Sequence, residues 1–175
     1  LSNDQEKIQA LYKWMQSTTR YVSIQLGIGG WQTMEASEVA TKGYGDCKAL
    51  TNYTKSLLES IGITSYYTII YASNRIVDIE ENNISLQGNH VILSVPHDGD
   101  YIFLECTDQQ VPFGFLGTST ANRKALAIKP DGAVFVTTHS LNEKSNILKG
   151  TVAVDMSNVN KNKINIEAGY ASTSL

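Results

Sequence analysis

The run Gly43-Tyr44-Gly45-Asp46-Cys47-Lys48, followed by Leu50, Tyr53, Thr54, Leu57, Leu58 and Ile61 and closed by Gly62, carries a turn, one apolar helical face and a stop. The spacing predicts a helix over 49–61 with Gly62 beyond its end. Cys47 falls in the first turn and shares the apolar face with Leu50 and Thr54, so its side chain is expected to point inward. The N–H groups and dipole of a helix N-terminus stabilise a thiolate, and the same N–H groups can hold an oxyanion. Asp46 suits the N-cap, a role that turns its carboxylate onto those N–H groups and away from the sulfur, with Lys48 as a compensating charge. On position alone, a small buried hydrophobe is the commoner meaning of such a cysteine.

Working outward, Ser2 and Gln5 read as a capping box for a helix bearing Ile8, Leu11, Tyr12 and Met15, interrupted at Ser17 and Thr18. Extended chain is expected over 20–26, broken by Gly27, Gly29 and Gly30, with a short helical turn over 35–40. Downstream, 65–71 reads as a strand and 73–88 as a long polar loop of the kind that carries function. Strands over 90–95 and 101–106 form a hairpin around Pro96-His97-Asp98-Gly99, and a second pair over 125–129 and 133–138 meets at Pro130-Asp131-Gly132. Helices first and antiparallel strands afterwards define an α+β domain over 1–140. The remainder, 141–175, is expected to be a linker and a β-rich tail at 151–156 and 163–167, the start of a further β domain. The polar stretch 140–149 is the expected linker, and the start at Leu1 without Met suggests a piece of a longer chain.

The chain has 175 residues, 42% hydrophobic, which is enough to bury a core. A formal charge of -3 and the absence of a basic stripe argue against a nucleic-acid partner. The longest apolar run, near Ile69 to Ala72, falls far short of the about 18 residues a membrane span needs. Two cysteines, Cys47 and Cys106, make neither a disulfide framework nor a zinc site, although one bridge is arithmetically possible. No metal or other cofactor is expected, and no EF-hand spacing is found.

Strand parity brings two further residues into play. His90, Ile92 and Ser94 share one face of their strand. If the hairpin loop is the four residues 96–99, Val95 pairs with Asp100 and His90 lies opposite Glu105, which places a carboxylate beside the imidazole. A one-residue slip would place Cys106 there. His97 and His139 sit in polar turn sequence with no carboxylate or thiol placed beside them by any period. A nucleophilic Cys, a His to take its proton and an acid to orient that His are the parts of a thiol acyl-transfer site. Cys47, His90 and Glu105 supply them.

With these residues in that order, the chain resembles the transglutaminase-like superfamily, in particular the bacterial, Bacteroidetes-type exported domains. The resemblance runs from about Tyr21 to Arg123. It rests on Tyr21-Val22 leading into Gly29-Gly30-Trp31-Gln32, on Tyr44-Gly45-Asp46-Cys47-Lys48, on Leu57-Leu58 before Gly62-Ile63, on Asn89-His90-Val91 and on Leu104-Glu105-Cys106-Thr107. It implies a papain-like α+β fold with the Cys at the start of a central helix and the His and acid on neighbouring antiparallel strands. It further implies Cys47 as nucleophile, His90 as general base and Glu105 as orienting acid, where the family usually has Asp followed by Pro; Asp108 is the alternative acid. Related enzymes place an oxyanion-hole side chain in the segment holding Trp31 and Gln32, of which Gln32 is the better donor and Trp31 the better wall, or a core residue. The expected function is cysteine-dependent hydrolysis of peptide or amide bonds on a peptide or protein substrate, in a periplasmic or extracellular setting within a larger multidomain chain. Amine transfer of the transglutaminase kind and a non-catalytic binding or scaffold module are the alternatives. Hydrolysis is preferred because the polar 73–88 loop looks too solvated to keep water from an acceptor site.

Overall fold

A computed structural model describes residues 3–23 and 26–140, and the backbone of two strands over 146–155 and 163–172. The chain divides into two units, Leu1–Ser140 and Leu141–Ser174. In the first, helices α1 (Asp4–Thr18), α2 (Ala36–Lys42) and α3 (Cys47–Ser60) precede strands β3 (Tyr66–Ile70), β4 (His90–His97), β5 (Asp100–Leu104), β6 (Lys124–Lys129) and β7 (Gly132–Thr137). Two short strands, β1 (Arg20–Tyr21) and β2 (Tyr44–Gly45), pair in parallel just before α3. The five long strands form one antiparallel sheet in the order β5-β4-β3-β6-β7. The α+β architecture is the expected one.

Local chemistry explains where the elements start and stop. The first helix is capped one residue later than expected, at Asn3, whose side chain accepts from the Glu6 N–H at 2.8 Å. Extended chain after α1 is shorter than expected, since only Arg20 and Tyr21 pair as strand and a 3-10 turn occupies Gly27–Gly30. The central helix starts at Cys47 with Asp46 as N-cap, its carboxylate accepting from the Ala49 N–H at 2.9 Å. Gly45 is required there, because a Cβ would lie 2.7 Å from that of Ala49.

Cross-strand pairs share a face, and the two sheet faces carry separate cores. On one, Leu93, Val95, Leu104 and Cys106 pack against Ile8, Tyr12 and Met15 of α1 and Leu50 and Leu58 of α3. On the other, Ile70, Ile92, Phe103, Ala125, Ala127 and Val136 pack with Leu116 and Ala121 of the segment that links β5 to β6. Arg123, 1% exposed, ties that segment to the start of the long loop by donating to the carbonyls of Tyr71 at 2.8 Å and Thr118 at 2.8 Å.

The second unit is a two-stranded antiparallel ribbon of β8 (Asn146–Asp155) and β9 (Lys163–Ser172). The expected linker is thus strand from Asn146 onward. Asn146 to Lys149 join the ribbon through backbone pairing with residues 169–172. Residues 141–145, the other part of that expected linker, lie outside the described residues, as do Ser2, Ile24, Gln25 and Met156.

Candidate active site

The helix N-terminus places Cys47, 5% exposed, at a cleft of about 640 Å3 that His90 also lines. His90 begins β4 and pairs in register with Ile70 of the central strand. Its Nε2 lies 2.9 Å from Glu105 Oε2 and 3.2 Å from Oε1. With Nε2 held by the carboxylate, Nδ1 is the ring nitrogen left for the Cys47 thiol. Burial alone would lower the His90 pKa from 6.5, but hydrogen bonds to Cys47 and Glu105, and the charges on both, raise it to about 9. Burial would likewise raise the Glu105 carboxyl, yet the hydrogen bond and charge of His90, with two donors from Thr107, hold it below its usual range. Those donors are the Thr107 hydroxyl at 2.6 Å and N–H at 3.1 Å, both to Glu105 Oε1.

The His90–Glu105 contact arises from a register other than the expected one. The hairpin loop has two residues, not four: Asp98 and Gly99, with φ of 47° and 82°, make the tight turn, and His97 pairs with Asp100. Pro96 lies within β4 because β4 outruns β3, whose last partner is Ser94, so the missing N–H costs no ladder bond. The ladder runs to Leu93 opposite Leu104. Continued, it sets Glu105 across from Ile92, one diagonal step from His90. The shift of two preserves parity, so both side chains stay on one side, and a glutamate is long enough to reach along the diagonal. The single-residue slip toward Cys106 does not occur.

Cys106 is fully buried in the helix-side core, its Sγ 3.7 Å from the Leu104 carbonyl, and burial pushes its thiol up to about 12. Both cysteines are free, so the arithmetically possible bridge is not formed. Asp108 is exposed and its Oδ1 accepts from the N–H groups of Gln110 at 2.7 Å and Val111 at 3.2 Å, so its carboxylate shapes a turn and does not face His90. Trp31 lines the cleft and is 74% exposed, a wall and not a core residue. Gln32 is exposed and does not line the cleft. His97 and His139 each acquire a carboxylate the sequence reading did not place: His97 lies 3.5 Å from Asp98, and His139 lies 3.1 Å from Asp100. Neither lines the cleft.

Two supports were not foreseen. The Tyr12 hydroxyl donates to the Glu105 carbonyl at 2.7 Å, and Gln16 Nε2 donates to the carbonyls of Asp108 and Val111, each at 2.9 Å. Helix α1 therefore holds the backbone that carries the acid. Nothing in a local pattern links positions so far apart; Tyr12 was visible only as a member of an apolar helical face. Tyr67 of β3 also lines the cleft, and burial, then the charges of Cys47 and Asp46, raise its pKa.

A cysteine at a helix N-terminus, facing a histidine with a carboxylate on its far nitrogen across an antiparallel sheet, defines the α+β class in which cysteine proteases and their relatives are built. The chain belongs to the transglutaminase-like superfamily, whose family model matches residues 1–106. No curated protein matches it. The fold is similar to that of a candidate protease from Parabacteroides distasonis, with a TM-score of 0.59 at 13% identity, covering 90% of this chain and 31% of that one. A looser likeness, TM-score 0.46 at 15% identity, is to a candidate cysteine protease from Cytophaga hutchinsonii, over 100% of this chain and 48% of that one. The chain thus spans less than half the length of either relative.

Proposed function

We propose that the chain hydrolyses peptide or amide bonds through a thioester formed on Cys47, with His90 as general base and acid and Glu105 as the group that orients it. The observation that carries this reading is the 2.9 Å contact between His90 Nε2 and the Glu105 carboxylate, at the cleft lined by both Cys47 and His90. In the first step Sγ, its proton already held on His90 Nδ1 as the imidazolium, attacks the carbonyl carbon. The tetrahedral intermediate then expels the amine, which takes that proton from His90, and a thioester remains. Water next loses a proton to His90 as it attacks the thioester, and Sγ leaves with that proton held on the imidazolium. Glu105, itself fixed by Thr107, holds the imidazole and stabilises imidazolium without taking the proton. Hydrolysis rather than transfer to an amine fits a cleft whose loop wall, residues 80–86, is exposed, since transfer needs water kept from the thioester. The setting implied by the resemblance, a periplasmic or extracellular multidomain chain, belongs to this proposal.

The test is labelling with a peptide electrophile read by mass spectrometry, with Cys47→Ala as control, followed by a glutamine peptide offered together with a labelled amine. Adduct on Cys47 and cleavage or deamidation exceeding amine incorporation are expected. Incorporation exceeding hydrolysis, lost in Cys47→Ala, would reverse the preference, and no Cys47 adduct would leave a binding module as the better account.

A further inference from the structure

The cleft beside Cys47 and His90 is far larger than two side chains require, and its floor is unusual. Tyr67 pairs with Leu93, Ile69 with Val91 and Leu126, and Leu126 with Phe135, so the floor continues the same sheet face that α1 and α3 cover over β4 and β5. Tyr67, Ile69, Leu126 and Phe135 remain only half-buried there and line the cleft. On the loop over 73–88, otherwise polar at its tip, Ile84 is fully exposed and Leu86 is 81% exposed, and both line the same space. That loop tip is built, not loose: Gln87 accepts from the Glu80 N–H at 2.8 Å and donates to the carbonyls of Glu80 at 2.9 Å and Asn83 at 2.6 Å.

We propose that this cleft binds the acyl side of an extended peptide and selects a large, uncharged apolar side chain next to the scissile carbonyl. The proposal rests on the catalytic reading above, which fixes the occupant as an acyl donor. A volume of about 640 Å3 lies within the range that holds a ligand of a few residues. Charge narrows the choice against acidic side chains. Of the charged side chains lining the cleft, His90 is paired with Glu105, Lys48 with Asp46 and Glu81 with Lys124, while the Glu80 carboxylate has no partner among the described residues. The site therefore repels an acidic side chain and offers apolar surface to a leucine or phenylalanine.

The experiment uses the chain with peptidyl fluoromethyl ketones that differ only in the residue bearing the ketone: Leu, Phe, Gly or Asp. Sγ of Cys47 forms a thioether as the C–F bond breaks and fluoride leaves, the thiol proton remaining on His90. Iodoacetamide reports Cys47 reactivity without occupying the cleft. Leu and Phe probes are expected to label at least about tenfold faster than Gly, with Asp slowest, and Ile84→Ser with Leu86→Ser is expected to narrow the Leu to Gly ratio. Equal rates across the panel, or Asp fastest, with iodoacetamide still labelling Cys47, would overturn the selectivity and leave the triad standing. An unchanged ratio in the double variant would overturn the part assigned to the loop. Failure of every probe, iodoacetamide included, would overturn both readings.

Discussion

The two cysteines occupy one sheet-and-helix layer but opposite circumstances. Over β4 and β5 the helices close the sheet face, and Cys106 lies in that closed core with no exposed surface and a thiol pushed up to about 12. Where the same face runs on to β3, β6 and β7 it is left open, and Cys47 sits at that opening on a helix N-terminus beside His90. On the proposed reading, reactivity depends on where helical cover stops and not on the thiol. Closing a sheet face makes a core; leaving half of it open beside a helix start makes a site.

The largest expected effect is therefore the contrast in alkylation. In the native chain between pH 7 and 9, iodoacetamide should modify Cys47 at least about 100-fold faster than Cys106, which should react only after denaturation; peptide mapping measures both. Faster reaction at Cys106 would break the comparison outright.

Next in size is Glu105→Gln. The amide can still accept from Thr107 but cannot stabilise imidazolium, so turnover should fall by roughly 10²–10⁴-fold with far-UV circular dichroism unchanged. The pH profile sharpens the assignment. His90 has its pKa raised to about 9, so the imidazolium is lost as pH rises through that value, and the rate should fall there; in Glu105→Gln this limb should move to lower pH. The same raised value means that the protonated histidine's contribution to stability is complete below its unfolded value of 6.5 and disappears as pH rises through about 9. For Glu105, whose folded pKa is depressed, the contribution is present above the ordinary 4.5 and is lost as pH falls through the lowered value.

Tyr12→Phe should cost about 1–3 kcal/mol in denaturant unfolding, because it leaves the buried Glu105 carbonyl without its hydroxyl donor. Activity measured well below the unfolding transition should drop less than in Glu105→Gln, since the carboxylate keeps its Thr107 contacts. The smallest effect should come from Asp46→Ala, about 1 kcal/mol from loss of the α3 cap, with Asp46→Asn recovering most of it.

How much of this was legible beforehand depends on the range of the interaction. Asp46 as cap, Cys47 at the first turn and Gly62 past the end of α3 follow from short-range helix chemistry, and the structure agrees with that reading. The hairpin turn did not follow as simply: Pro96 argued for a loop, and only the relative lengths of β3 and β4 show that it can remain in the strand. The observed register differs from the expected one by two residues, and His90 and Glu105 still meet because strand faces repeat every two. The helical period marks Tyr12 as an apolar-face residue and not as a donor to the acid's backbone, and nothing periodic marks Thr107 or the open cleft floor.

The sequence by itself determined the main helices and the long strands of 1–140, their order, the cap that sets Cys47 on a helix N-terminus and the parity that puts His90 and Glu105 on one side. These depend on contacts within a few residues or on a period of two. The tertiary structure alone decided that Cys106 is sealed while Cys47 meets a cleft, that Asp108 turns away, that Gln32 lies off the cleft and that α1 grips the backbone of the acid. Those outcomes depend on which part of a sheet face the helices reach to cover, a matter of packing between distant segments that no local pattern encodes.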